Sequence, residues 1–595
     1  MKLLVCCVLL IANISDNSKA SLESYTPTST NILFEDITRN ADKSCNRPCK
    51  FNVKPRRCHY NFTVEPIVGD NDKIAISVNG ITPGPPINVC VNDVIVVEVK
   101  NKIPDQDLTI HWHGVNQMGT PHMDGVPMVT QCPIAYGTSY KYAFIASSPG
   151  TFFYHADSVS HQSDGVYGSL IVNQPQPQEA HAALYDYDRS DEGTLLIAAQ
   201  FPTLLSAYLE DVAHIQPDAL TVNGDDENFK VFVLQGYAYR LRLINAIAIE
   251  CPVIIQIEQH EMVVIATDGK PVKPLPARTV KLYPGERMDV VVRASQESGG
   301  YWIKVNAGGA CAGVSANAML LYSGFNYTSM LQQGVNEVDH ENGLDSDSAV
   351  YGQMLESLQE VSQDAPPEPV YLGINRKKWN IKEKDIDFRY ISDAIPKKVY
   401  YPASFGLKSS GVVQINGKSF LYPNTPMLLY PQDVKGDFIC KVGEESENPE
   451  PQCVMVLEPK ENVLELVLVN EGFESNESYT FHMHGYTMQV VSSGRHPQGK
   501  PMSKEEFEKL NQGGAVFRNL KHAPLKDTIV VPKKGYAVVR IKPDHGGSWL
   551  LECRSCGLSS LPAAIIINVP QKMPKSVVRS LAKCGNYRPP DVLLN

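Results

Sequence analysis

Short β-branched stretches, each closed by a turn residue, dominate this chain. VNDVIVVEVKN at 91–101, ERMDVVVRA at 286–294 and NVLELVLVNEG at 462–472 are characteristic: Val, Ile and Leu recur over a few residues, and Gly, Asn, Asp or Pro interrupts them. Runs of about 4–8 such residues fit a pleated surface and are too short for buried helices. The pattern recurs along most of the 595 residues, so the expected class is all-β. One core cannot serve that length, since domains average roughly 150 residues. Three blocks stand out, at 58–173, 190–325 and 370–595, with an acidic, Ser-rich linker at 326–369. Sandwiches in series fit this arrangement.

The first twenty residues, MKLLVCCVLLIANISDNSKA, carry a lysine, an apolar run and a small-residue end, which is the pattern of a cleaved secretory leader (1–20). No later stretch is apolar for about 18 residues, so no transmembrane segment is expected. Secretion implies an oxidising environment. Of the fourteen cysteines Cys6 and Cys7 fall in the leader, and an even remainder suggests disulfides, four of them clustered at Cys45, Cys49, Cys58 and Cys90 around a Cys-rich segment at 21–57. Asn61, Asn326 and Asn476 each begin an Asn-x-Ser/Thr sequon and are expected glycosylation sites. A net charge of −11 without a basic block excludes nucleic acid and acidic membrane surfaces as expected partners. An extracellular protein or a small molecule remains.

Chemistry concentrates in four segments. Residues i and i+2 of a strand share a side, so His111-Trp112-His113 and His482-Met483-His484 each present two imidazoles together. One such pair is weak evidence of a metal site; two, far apart in a β-rich chain, are stronger. GTFFYHADSVSHQ brings His155 and Asp157, and LLECRSCGLSSLP brings Glu552, Cys553 and Arg554. His122 and His161 lie nearby in sequence and read as solvated or hydrogen-bonded residues. Cys553 and Cys556 have the CxxC spacing of thiol oxidoreductases, but they follow a strand rather than opening a helix, so a structural disulfide or a pair of thiols is the simpler reading.

The order and wording of these segments resemble the multicopper oxidases, in particular the insect laccase-like enzymes and the related insect proteins that lack part of the copper ligand set. CNRPCKFNVKPRRCHYNFTVEP, DGVPMVTQCPI, YRLRLINA, VIATDG, YPGERMDVVV and LKDTIVVPKKGYAVVRIKPDHGGSWLL extend the resemblance over nearly the whole chain. It implies three cupredoxin-like Greek-key β-sandwiches, with ligands drawn from the first and third. It also implies one blue copper and a three-copper cluster bound by eight histidines. His111 and His482 match ligands of the lone cluster copper, and His113, His155 and His484 match ligands of the copper pair. At the other pair positions stand Asp157, Glu552 and Arg554. At the blue-copper positions Cys553 matches, whereas Tyr479, Leu558 and Ala563 replace the expected histidines and methionine.

Arg554, Asp157 and Glu552 are expected to form salt bridges where the family holds metal. By similarity the disulfides are Cys132 with Cys584, Cys251 with Cys311 and Cys440 with Cys453, and the N-terminal four form two more. The expected cofactor is none or at most one copper ion, with zinc as the alternative. Three functions compete: a homologue with degenerate copper sites and no oxidase turnover, acting as a binding or structural protein; an active oxidase of phenols, ascorbate or ferrous iron; and a single-metal binding protein.

Overall fold

A computed structural model describes residues 45–69, 73–207, 216–225, 229–325, 355–359, 369–377, 412–434, 436, 439–442, 452–471, 478–554, 556, 563–581 and 584. The expected leader, residues 21–44, most of the acidic linker, Asn326, Asn476 and Leu558 lie outside the described residues.

Alternation builds the strands. In Arg57–Val68 the side chains of Cys58, Phe62 and Val64 turn inward while His59 and Asn61 face out. Among the described residues six sheets result, two for each third of the chain. In domain 1 a four-stranded sheet (Ile74–Val78, Arg57–Val68, Val94–Asn101, Ser139–Ile145) faces a second one containing β1 (Ile110–His113) and β2 (Gly150–Ala156). Domain 2 pairs a seven-stranded sheet, including β3 (Arg287–Arg293), with a five-stranded sheet. Domain 3 pairs a six-stranded sheet with a seven-stranded sheet that holds β4 (Tyr479–Met483) and β5 (Gly547–Cys553). Each domain has its own apolar core.

The domains are joined by shared burial and by charge. Val126 and Val129 of domain 1 are built into the domain 3 core. Met427 and Leu428 donate backbone N–H bonds to Met128 and Val129 at 3.1 and 2.9 Å. Phe153 and Ile171 pack with Leu196 and Ile244 of domain 2. At the point where all three domains meet, Arg287 of β3 grips the Asp527 carboxylate of domain 3 with two bonds of 2.6 and 2.5 Å and donates to the Thr151 carbonyl of domain 1 at 3.1 Å. Burial pushes the Asp527 carboxyl up, but Arg287 outweighs it and holds the group well below the usual carboxylate range. Lys526 reinforces the seam with bonds of 3.1 Å to both Asp268 and Glu286.

The disulfides are Cys45–Cys58, Cys49–Cys90, Cys132–Cys584, Cys251–Cys311, Cys440–Cys453 and Cys553–Cys556. Among the described residues no helix is long and apolar enough to cross a membrane.

Removing one partner of a buried ion pair strands the other charge, at a cost of about 3–5 kcal/mol. Arg287→Met is therefore expected to lower the temperature at which domains 2 and 3 unfold, and Arg287→Met with Asp527→Leu to recover part of the loss. Differential scanning calorimetry of the three proteins measures both effects.

Candidate metal centre

β1 pairs with β2 so that His111 lies opposite His155. β4 pairs with β5 so that His482 lies opposite Glu552. Alternation turns Trp112 away from the site into the domain 1 core, against Tyr142, Phe144 and Tyr154, and leaves His111 and His113 facing domain 3. His484 follows directly after β4. The two strand pairs meet across the domain 1–domain 3 boundary, and all five imidazoles are buried.

Burial of five imidazoles is tolerable only if their ring nitrogens find partners. Carbonyl acceptors fix the tautomers. The Nδ1 of His111 donates to the Asp124 carbonyl at 2.8 Å, that of His482 to the Asp527 carbonyl at 3.0 Å, and that of His155 to the Ala156 carbonyl at 2.7 Å. Burial, reinforced for His111 by His484 and His482, holds the pKa values of His111 and His482 below the ordinary histidine range, so both rings are neutral.

Two consequences differ. His113 can donate Nδ1–H to the free Nε2 of His155 at 3.2 Å and accept from the Thr528 hydroxyl at 2.9 Å, a proton for which the Asp527 carboxylate competes at 2.9 Å, so that pair can be satisfied by its own protons. His111 and His482 are not: with both Nδ1 atoms donating, their Nε2 atoms face each other at 3.1 Å, lone pair to lone pair. That contact is repulsive unless a cation lies between the nitrogens. The ligand atoms of His111, His113 and His482 all fall within 4.8 Å of one another.

Around His484 the chain supplies fixed charges. Its Nδ1 meets the Asp124 carboxylate at 2.8 Å and its Nε2 meets Glu552 at 3.4 Å. Burial opposes protonation, yet Asp124 and Glu552 outweigh it and raise the His484 pKa to about 10, so the ring is an imidazolium at neutral pH. Arg554 donates to Glu552 at 2.8 Å, and burial of that carboxyl is overcome by Arg554 and His484, which hold it below the usual carboxylate range.

The expected bridge between Arg554 and the Asp157 carboxylate is corrected by the structure. Arg554 bonds the Asp157 backbone carbonyl at 3.2 Å, and the remaining fork of the guanidinium is taken by the side-chain oxygen of Gln162. The Asp157 Oδ1 has no hydrogen-bond partner. Burial, then the charge of Glu552, raises the Asp157 pKa to about 7.

The sulfur of Cys553 is bonded to Cys556, one of the two states expected for this CxxC pair, and a disulfide sulfur offers a metal no thiolate. Tyr479 and Ala563 are buried beside it. His161 donates Nε2–H to the side-chain oxygen of Gln106 at 2.5 Å, whereas His122, expected to be solvated or hydrogen-bonded, is buried with neither ring nitrogen bonded. Sequence reasoning missed Asp124, Gln162, Asp527 and Thr528. All four lie in stretches that carry the resemblance or the site: Asp124 opens DGVPMVTQCPI, Gln162 ends GTFFYHADSVSHQ, and Asp527 and Thr528 fall in LKDTIVV, but none is a histidine or cysteine that the ligand pattern would single out.

Three cupredoxin-like sandwiches with a histidine cluster between the first and third define a multidomain copper-protein architecture. Multicopper oxidase family profiles match residues 62–177, 199–324 and 421–555, and the chain belongs to the multicopper oxidases. It is 26% identical to laccase-25 of Oryza sativa subsp. japonica over 83% of this chain and 89% of that one. To the L-ascorbate oxidase of Cucurbita pepo var. melopepo it is also 26% identical, over 83% and 91%. The crystal structure of the laccase from Botrytis aclada superposes with a TM-score of 0.67 at 22% identity, covering 91% of this chain and 96% of that one.

Arg554→Met leaves Glu552 with His484 alone, and a buried ion pair cut on one side loses about 3–5 kcal/mol. Asp157→Asn removes a carboxyl that makes no hydrogen bond through Oδ1 and is expected to stay within about 1 kcal/mol of the parent at pH 6. Thermal unfolding of both variants separates the two residues; equal losses would reinstate the Asp157 salt bridge.

Proposed function

We propose that this chain is a secreted multicopper-oxidase relative with degenerate copper sites and without oxidase turnover, which acts as a binding or structural protein and holds at most one metal ion. It would then stand with the insect multicopper-oxidase-related proteins that lack part of the ligand set. The observation that carries the reading is the Cys553–Cys556 disulfide. A blue-copper centre requires a thiolate together with two imidazoles. Here the one sulfur at the matching position is oxidised, and Tyr479 and Ala563 bring no imidazole or thioether. Electrons from a phenol or from ferrous iron have no acceptor to enter through.

The residues at the copper-pair positions fit the family's metals no better. Arg554 and the His484 imidazolium already supply positive charge there, balanced by Glu552 and Asp124. Additional dipositive ions would be repelled by that guanidinium and imidazolium. Six disulfides and the leader-like first twenty residues support secretion.

A single-metal reading is favoured at one place. His111 and His482 direct opposed lone pairs at each other, and each ring is oriented by a carbonyl on its far nitrogen, the arrangement that prepares imidazoles for a metal. Copper heads the affinity order for such a nitrogen site, with zinc the alternative. Bound there, the ion would supply charge to relieve the opposed lone pairs.

The test uses the full secreted chain, dialysed and then loaded with copper. Elemental analysis should give no more than one copper per chain, lost in His111→Ala and His482→Ala. No blue absorption band should develop, and O2 uptake with a phenolic substrate should match buffer. Sustained O2 consumption by the loaded protein overturns the proposal.

A further inference from the structure

A cleft of about 720 Å³ opens between domains 1 and 2, and none of the five histidines of the metal centre lines it. Its volume lies within the range usual for small-molecule sites, roughly 300–1,000 Å³. Its walls come from segments near residues 46–49, 148–150, 172–191 and 266–271, with Arg240 and Arg242 in the floor. The segment at 46–49 is held in place: Cys49 is bonded to Cys90, and Arg47 forks onto the Asp93 carboxylate at 2.7 and 2.8 Å. On the opposite side Gly150 and Gly269 approach so closely that a Cβ on Gly150 would come within 2.7 Å of the Gly269 Cα. A cleft walled by a disulfide, ion pairs and backbone needs little ordering when a ligand enters, which favours binding.

Charge inside the cleft is unevenly compensated. Arg240 bonds Asp289 at 2.5 Å and Glu179 at 3.1 Å, and Arg242 bonds Asp188 at 2.6 Å and Thr151 at 2.8 Å. Asp186 accepts the Ala238 N–H at 2.7 Å. Among the described residues the Lys270 side chain has no hydrogen-bond or ion-pair partner, although it is only partly exposed. Burial pulls its ammonium below the ordinary lysine range, with Asp527 acting against the shift. An unpaired ammonium in a recess is costly, and an incoming anion would remove that cost. The same cleft is lined by Ser148, Gln176 and Gln178, whose side chains make no hydrogen bond among the described residues, and by the exposed Asp191. Amides, hydroxyls and a carboxylate make directed bonds to ligand hydroxyl groups. The usual apolar, aromatic-lined pocket is not what this chain has built here.

We infer that this cleft binds a small acidic saccharide, with the ligand's anionic group on Lys270 and its hydroxyl groups on Ser148, Gln176, Gln178 and Asp191. A lone inorganic anion would satisfy Lys270 and leave the remaining donors and acceptors unused. The inference does not rest on the reading of the metal centre and holds whether or not the chain turns over O2.

Calorimetric titration of the full secreted chain with three probes tests it: a hyaluronan tetrasaccharide, the neutral chitotetraose and sodium sulfate. The hyaluronan fragment is expected to bind at least about tenfold more tightly than either of the others, the scale of one charge-assisted bond. Lys270→Met should lose about that factor, and Lys270→Arg should keep most of the affinity. Gln178→Trp narrows the opening from an exposed wall and should also weaken binding, with an unchanged thermal transition. No binding of the tetrasaccharide, equal binding of chitotetraose, sulfate binding as tightly as the tetrasaccharide, or undiminished affinity in a folded Lys270→Met protein would each overturn the inference.

Discussion

The bidentate contact of Arg287 with Asp527 is the joint on which the geometry of the centre depends. A guanidinium from domain 2 holds a carboxylate from domain 3, while its third nitrogen reaches a carbonyl of domain 1. The planar fork matters, because a lysine could not meet two carboxylate oxygens and a carbonyl in fixed directions at once. Asp527 in turn presents its own backbone carbonyl to His482 and is followed by Thr528, which faces both His113 and His482. The orientation of imidazoles from two domains is therefore set by a residue of a third that touches none of them. Dry surroundings strengthen the contact and make it intolerant of losing either half.

A second set of charges governs the region around His484. Asp124, His484, Glu552 and Arg554 alternate in sign and neutralise one another. On the proposed reading, side chains have taken over the electrostatic work that metal ions perform in relatives by resemblance. The exchange is local. His113 and His155 are content with protons, and only His111 and His482 keep a geometry that asks for an additional positive charge. One centre thus combines a part that has closed on itself with a part that has stayed open.

Much of the architecture was legible because it is local. Period-two alternation announced the strands, and the spacing of His111 with His113 and of His482 with His484 told which side chains would share a face. The proximity of the two pairs came from the resemblance, and it holds at 3.1 Å. The choice of partner for Arg554 was not legible. Asp157 precedes the short helix Val159–Ser163 and Gln162 lies within it, and which of them meets the guanidinium depends on how domain 3 docks on domain 1, a contact between residues 397 and 392 positions apart. For the same reason the role of Asp527 was not legible, although it stands in the LKDTIVV stretch, and nothing in the chain's order pointed to Lys270.

The bridge between Cys132 and Cys584 spans 452 of the 595 positions and turns about three quarters of the chain into one covalent ring. Such a ring can close only after the last strands have been synthesised and domain 3 has docked, so its closure records that assembly has finished. Once it is closed, a protease that cuts a loop anywhere between those two cysteines opens the circle without releasing a fragment. The severed halves stay at a high effective concentration of each other, and the junction that houses the histidines can survive a broken backbone.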